Sequence, residues 1–267
     1  YEIINAMRHY AEDKGCTFAY PPIVTKHGEI LHNLYSHHTL AEGDMILNDS
    51  GCETDKGYAA DLTRSYPVAS KFSSVQRDIY TIVHQAITSA SKILSPQIKF
   101  KEVHLRSVTS LMEGLKDLGI VKGNIEDAVQ ANAFTLFFQC GTGHMMGLDV
   151  HDMEDLGEQY VGYTEDEPKD TTTFGWKSLR LAKKLETGNV LTVEPGIYFI
   201  PTLIDMWAAE RKLSEFINYD KLAQYRDFGG IRIEDNYVIT DDGYRTLGPK
   251  LMQSFEDIED YRAAHLS

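Results

Sequence analysis

Four acidic residues of this chain stand where folding chemistry normally avoids a charge. Asp49 ends the short apolar run Met45-Ile46-Leu47-Asn48, and Asp61 lies in the strand-like segment 58–66. Glu194 directly follows Val190-Leu191-Thr192-Val193, and Glu234 sits inside Ile231-Arg232-Ile233-Glu234. A carboxylate among apolar strand neighbours is costly to bury alone. Any one of the four is simply explained as an outward-facing side chain in water. Four together constrain the fold more tightly, because a common partner satisfies all of them at once. The stretch 141–152 carries two histidines, His144 and His151, with Gly143 and Gly147 close by. Imidazole is the commonest protein ligand for a transition metal, and glycine lets the backbone approach a ligand closely.

Several carboxylates with one imidazole suit a pair of divalent cations, whose charges they cancel. A water held between two such cations ionises near neutral pH and becomes a nucleophile. Oxygen-rich ligation with one nitrogen suits manganese, and it is compatible with zinc, cobalt or iron.

The rest of the chain reads as α+β. Ile3, Ile4, Met7 and Tyr10 keep helical spacing up to Gly15. Val75, Ile79, Ile82, Val83 and Ile87 form a helical stripe behind the capping residues Ser73-Ser74, with Pro96 as the stop. Further helices are expected over 103–118, closed by Gly119, and over 126–138. Segments 45–48 and 58–66 form a hairpin, with Asp61, Thr63 and Ser65 on one face. More strands are expected over 189–199, interrupted at Pro195-Gly196, and over 231–240. The segment 159–173 reads as a loop, 178–185 as a short basic amphipathic piece, 201–228 as surface helices and 255–264 as a helical tail. Strands, then helices, then strands again give α+β rather than alternating βαβ order.

A formal net charge of -14 argues against a nucleic-acid partner or an anionic membrane. The odd count of 3 cysteines is no disulfide framework and fits a reducing, cytoplasmic setting. No apolar run reaches membrane-spanning length. The first residue is Tyr1 and a helical pattern is already under way, so the chain is expected to be part of a longer protein.

Five motifs together resemble one family. Asp49-Ser50-Gly51-Cys52, Gly57 through Leu62-Thr63-Arg64-Ser65-Tyr66-Pro67, Gly143-His144 with His151, Val193-Glu194-Pro195-Gly196 and Gly230-Ile231-Arg232-Ile233-Glu234-Asp235 are similar to the pita-bread metallopeptidases. The resemblance covers nearly the whole chain, in order, and points to the proline-specific members, prolidase and aminopeptidase P. It implies a curved, mostly antiparallel sheet with helices on its outer face, and one catalytic domain over 1–267 that lacks the start of its first helix and an amino-terminal domain. It implies two divalent metal ions, manganese foremost, held by Asp49, Asp61, His144, Glu194 and Glu234, with Asp61 and Glu234 bridging. Glu194 would serve as general base and acid. His32 and His151 would face the substrate carbonyl, and Tyr20 would join them among the substrate-binding residues, matching a family tyrosine that stands behind the metal ligands. Arg232 would orient a ligand carboxylate from behind.

Gly175-Trp176-Lys177-Ser178-Leu179-Arg180 and the long segment up to Phe228 resemble prolidase more than aminopeptidase P. There Arg180 would grip the free carboxylate of a dipeptide, a role that suits a guanidinium fork. The alternative for Arg180 is a solvated helix residue beside Lys177, Lys183 and Lys184. The expected activity is therefore hydrolysis of Xaa-Pro dipeptides by a homodimer, with cleavage of longer Xaa-Pro peptides as the alternative. A third possibility is a binding module that kept the fold and lost catalysis. Cys140 departs from the family pattern, which has a histidine there, and a thiol is a weaker hydrogen bonder with no positive charge.

Overall fold

The computed structural model describes residues 1–265. The strands are β1 (Thr17–Phe18), β2 (Ile23–Thr25), β3 (Met45–Asp49), β4 (Cys52–Glu53), β5 (Thr63–Pro67), β6 (Val190–Val193), β7 (Gly196–Tyr198), β8 (Gly230–Arg232), β9 (Asp235–Thr240) and β10 (Gly243–Thr246). They pair antiparallel as β2-β3-β5, β6-β9-β10, β7-β8 and β1-β4. A bridge between Thr63 and Glu234 ties β5 to the junction of β8 and β9. The helices are α1 (Glu2–Asp13), α2 (Ser74–Ser91), α3 (Phe100–Asp117), α4 (Ile125–Gln130), α5 (Glu158–Val161), α6 (Pro201–Glu210), α7 (Tyr219–Leu222) and α8 (Phe255–His265). The result is the expected α+β architecture of antiparallel sheets and packed helices.

Strand alternation decides where the site lies. Leu191 and Val193 of β6, with Ile231 and Ile233 around β8, are fully buried in the core shared with α2 and α3. The intervening residues Thr192, Glu194, Arg232 and Glu234 therefore project from the opposite side of the sheet. The two helices approach closely at Gly114, where a Cβ would lie 2.6 Å from the Ile82 side chain. Helix α2 begins as its sequence predicts: Ser73 accepts from Gln76 N, and the Gln76 side chain accepts in turn from Ser73 N.

Several boundary expectations change, and the segment 159–173, read as a loop, opens with the short helix α5 over Glu158–Val161. The second hairpin strand begins at Thr63, so Asp61 precedes it rather than lying within it. Asn236 holds Asp61 there instead, accepting from its backbone N–H at 3.1 Å and donating to its carbonyl. The helix expected over 126–138 stops at Gln130, because Asn132 turns left-handed at φ 62° and its side chain accepts from the Trp176 indole at 2.6 Å. A 3-10 turn, Ala133–Leu136, follows. The basic piece 178–185 is no helix: after the 3-10 turn Trp176–Ser178 it runs extended, with Leu185 and Lys183 carbonyls accepting from Gln97 and Phe100. Helix α2 ends at Ser91, before Pro96.

Candidate metal centre

Each acidic residue reaches the site from a different element. Asp49 closes β3, Asp61 precedes β5, Glu194 links β6 to β7, and Glu234 links β8 to β9. His144 comes from the glycine-rich stretch, where Gly143 lies against the Thr192 carbonyl so closely that a Cβ could not fit. The Thr192 hydroxyl accepts from His144 N–H at 3.1 Å. His144 Nδ1 bonds the Met145 carbonyl at 3.0 Å, which turns Nε2 inward, 3.3 Å from Asp61 Oδ2 and 3.6 Å from Glu194 Oε1. Such a backbone bond fixes the tautomer that leaves Nε2 free to ligate.

Ligand atoms of Asp61, His144 and Glu234 lie within 4.8 Å of one another, and all three residues are buried. Glu234 Oε2 accepts from Thr63 Oγ1 at 2.6 Å, while Oε1 has no partner among the described residues. An unpaired buried carboxylate oxygen is expensive, and a cation is the partner that this donor set lacks. Burial and the neighbouring carboxylates raise Glu234 far above the usual carboxylate range. Burial likewise pushes Glu194 up to about 7, even with His144 and Arg232 nearby. Burial disfavours a charged His144, yet hydrogen bonding to Asp61 and the Glu194 charge raise it. The residues fit a centre for divalent ions.

Two residues brace the cluster from behind. Arg232 donates from Nη2 to Asp49 Oδ2 at 2.5 Å, from Nη1 to Tyr198 Oη at 3.0 Å, and from Nε to Thr63 Oγ1 at 3.2 Å. The Tyr20 hydroxyl contacts Asp49 Oδ1 at 2.6 Å and also Asp61 Oδ1. It has one proton for two carboxylates, and burial raises Asp49 in spite of the Arg232 charge.

A cavity of about 530 Å³ opens above these residues, lined also by His32, Cys140, His151 and Arg180. His151 stands edge-on to His144, with ring centroids 4.4 Å apart. Burial, with His144 and Arg180 beside it, pushes His151 down to about 3, so it is neutral at physiological pH. Burial pushes the Cys140 thiol up to about 12, and the Glu194 charge adds to that rise. Arg180 is not a solvated helix residue: its Nη1 pairs with Glu154 and, at 3.1 Å, with Glu158.

The site therefore brings together all the residues read from the sequence, and it adds some that were not. Thr63 was legible as sharing a face with Asp61. Thr192, Asn236, Glu154 and Glu158 were not singled out by any motif, and only their distances reveal them.

With this geometry in view, the likeness to known proteins has a physical basis. The sequence model of metallopeptidase family M24 matches residues 1–241. A probable Xaa-Pro aminopeptidase of Paracoccidioides lutzii is 38% identical over 215 residues, covering 80% of this chain and 44% of that protein. The Xaa-Pro dipeptidase of Homo sapiens is 34% identical over 273 residues, covering 96% of this chain and 52% of that protein. Zinc-substituted Escherichia coli aminopeptidase P in complex with product superposes with a TM-score of 0.79 at 34% identity, covering 99% of this chain and 52% of that one. The chain spans about half the length of the curated relatives it matches. On sequence, fold and the convergence of its carboxylates, the chain belongs to metallopeptidase family M24 and has the pita-bread fold.

Proposed function

We propose that this chain is the catalytic domain of a peptidase that hydrolyses the bond preceding proline, with Xaa-Pro dipeptides among its substrates. The observation that carries the reading is the unpartnered, buried Glu234 Oε1 at the centre of converging carboxylates. Asp49, Asp61, His144, Glu194 and Glu234 would hold two divalent cations, manganese foremost. When bound, such ions acidify water and polarise a carbonyl oxygen.

The remaining chemistry belongs to the chain. Glu194, at the cavity wall, moves a proton from the attacking water to the departing proline nitrogen. His151 and His32 line the cavity where the carbonyl oxygen gathers charge, and a neutral His151 serves as a hydrogen-bond donor there. Arg232 and Tyr20 keep the ligand carboxylates in place. Arg180 faces the end of a short substrate.

A second reading, cleavage of longer Xaa-Pro peptides, draws support from one observation. A further cavity of about 470 Å³ shares Val150, His151, Glu158 and Arg180 with the first, which leaves room for chain beyond proline. The cytoplasm is the proposed compartment, and a homodimer the proposed assembly. Among the described residues no helix is long and apolar enough to cross a membrane.

Metal analysis of the purified protein, with Ala-Pro hydrolysis after reloading with manganese, zinc, cobalt or iron, tests the reading. Two bound ions and metal-dependent release of proline are expected. No divalent metal bound and Ala-Pro left intact would instead identify a binding module.

A further inference from the structure

Arg180 is the feature of the cavity that distinguishes a free dipeptide from a longer chain in the proposed function, and it is already occupied. Its Nη1 donates to Glu154 Oε2 and to Glu158 Oε1, the latter at 3.1 Å. Glu158 is shared, because its other oxygen, Oε2, receives Lys169 Nζ. Lys169 is itself anchored on the Leu179 carbonyl at 2.9 Å. Two cations and two carboxylates therefore form a balanced group before any substrate arrives. The group is partly shielded from water, with Glu154 and Lys169 only 12% and 11% exposed. Lys177 also lines the cavity, but it is exposed and screened by solvent.

The two glutamates are not equivalent. Glu158 keeps Lys169 if Arg180 moves away. Among the described residues Glu154 has no second ion-pair cation: its other close ionisable contact is His151 Nδ1 at 3.8 Å. A substrate carboxylate reaching for Arg180 thus competes chiefly with Glu154, and it adds a negative charge to a group that has none to spare. An amide or a continuing peptide chain at the same place carries no such charge. The adjoining cavity, which shares Arg180, has Leu148, Val150 and Ala59 in its wall.

We propose that Glu154 is a specificity-determining residue that acts through Arg180. By holding the guanidinium it offsets the attraction for a terminal carboxylate, so that Xaa-Pro amides and extended Xaa-Pro peptides are handled at least as well as free Xaa-Pro dipeptides. The inference rests on the Xaa-Pro reading for its substrate class.

The test compares Ala-Pro with Ala-Pro-amide in the manganese-loaded full chain and its variants. The native protein is expected to show kcat/KM for the amide equal to or above that for the free acid. Glu154→Gln keeps the shape and removes the charge. It should raise the acid-to-amide ratio about tenfold, the scale of one charge-assisted hydrogen bond, mainly through a lower KM for the acid. Glu158→Gln should move the ratio less. With Arg180→Ala in place, Glu154→Gln should no longer move it, since the effect is transmitted by the guanidinium. A ratio taken within one protein cancels any loss of folded material. Calorimetric binding of L-proline against L-prolinamide to the same proteins gives the same ratio without turnover. A native preference for the free acid that Glu154→Gln leaves unchanged, in turnover or in binding, overturns the proposal. Failure of the native protein to cleave either substrate would instead defeat the peptidase reading, and the binding ratio would still decide the role of Glu154.

Discussion

Glu234 shows at the scale of one residue what the carboxylate cluster is for. Its buried Oε1 has no partner among the described residues, and its pKa is raised because burial and Asp61, Glu194 and Asp49 all oppose its charge. A neutral isostere should therefore be harmless to the cation-free fold and damaging to the loaded one. Glu234→Gln is expected to leave the melting temperature in chelator unchanged or higher at pH 8, where the native carboxyl is pressed hardest to ionise. The same variant should lose at least one equivalent of bound metal and about 100-fold or more in turnover, in line with the loss of other metal-site residues. Calorimetry beside metal analysis checks both halves, and a full metal complement in the variant would remove Glu234 from the ligand set. Cys140 poses the opposite question. Its thiol lines the cavity and is held protonated, so it offers neither charge nor a strong donor. Cys140→His is expected to raise kcat on Ala-Pro several-fold with little change in KM, as one general acid-base or donor group contributes on this scale or above. An unchanged kcat would mean that position 140 is only cavity wall.

At the scale of elements, the site depends on the junction between β8 and β9. There Ile231 and Ile233 enter the core while Arg232 and Glu234 face the cavity, and Glu234 N–H donates to the Thr63 carbonyl at 3.0 Å. Arg64, on the other face of β5, locks this junction. It donates to the Glu234 carbonyl and to Asp235 Oδ1, each at 2.7 Å, and to the Met252 carbonyl at 2.9 Å. Arg64→Ala leaves Asp235 buried without its cation. The variant should lose roughly 3 to 5 kcal/mol of stability, read by urea unfolding, with metal binding weakened as a consequence. A loss below about 1 kcal/mol would show that the junction does not depend on this pair. Alternation along β8 and β9 was legible in the sequence, since Ile-Arg-Ile-Glu is its own evidence. The placement of Asp61 was not, because the Asn236 bonds that hold it outside β5 join residues 175 positions apart.

At the scale of the whole molecule, acid should loosen the fold through His104 as well as through the carboxylates. Its ring is buried among Phe134, Phe138 and Trp176, with Nδ1 on the Thr142 hydroxyl at 2.9 Å and Nε2 unpartnered among the described residues. Burial pushes it down to about 3, against 6.5 for the ring in an unfolded chain. Between those values the unfolded state binds the extra proton, so stability falls as pH drops through this window and is fully restored above 6.5. The loss on full acidification is on the order of 5 kcal/mol. His104→Gln should flatten the dependence of unfolding free energy on pH between 4 and 6.5. An unaltered slope would mean that the ring accepts its proton in the folded state. From the sequence alone, the α+β order, the helix starts at Ser73, the five candidate ligands and the family resemblance were all legible. Local patterning and short motifs carry that information, and each candidate ligand arrives inside its own motif. What only the tertiary structure decided is which groups share the site without sharing a motif: Thr192 under His144, Arg232 on Asp49, Asn236 around Asp61, and Glu154 on Arg180. These are single contacts between distant segments, set by how the sheets and loops meet. No local periodicity or propensity encodes such a meeting.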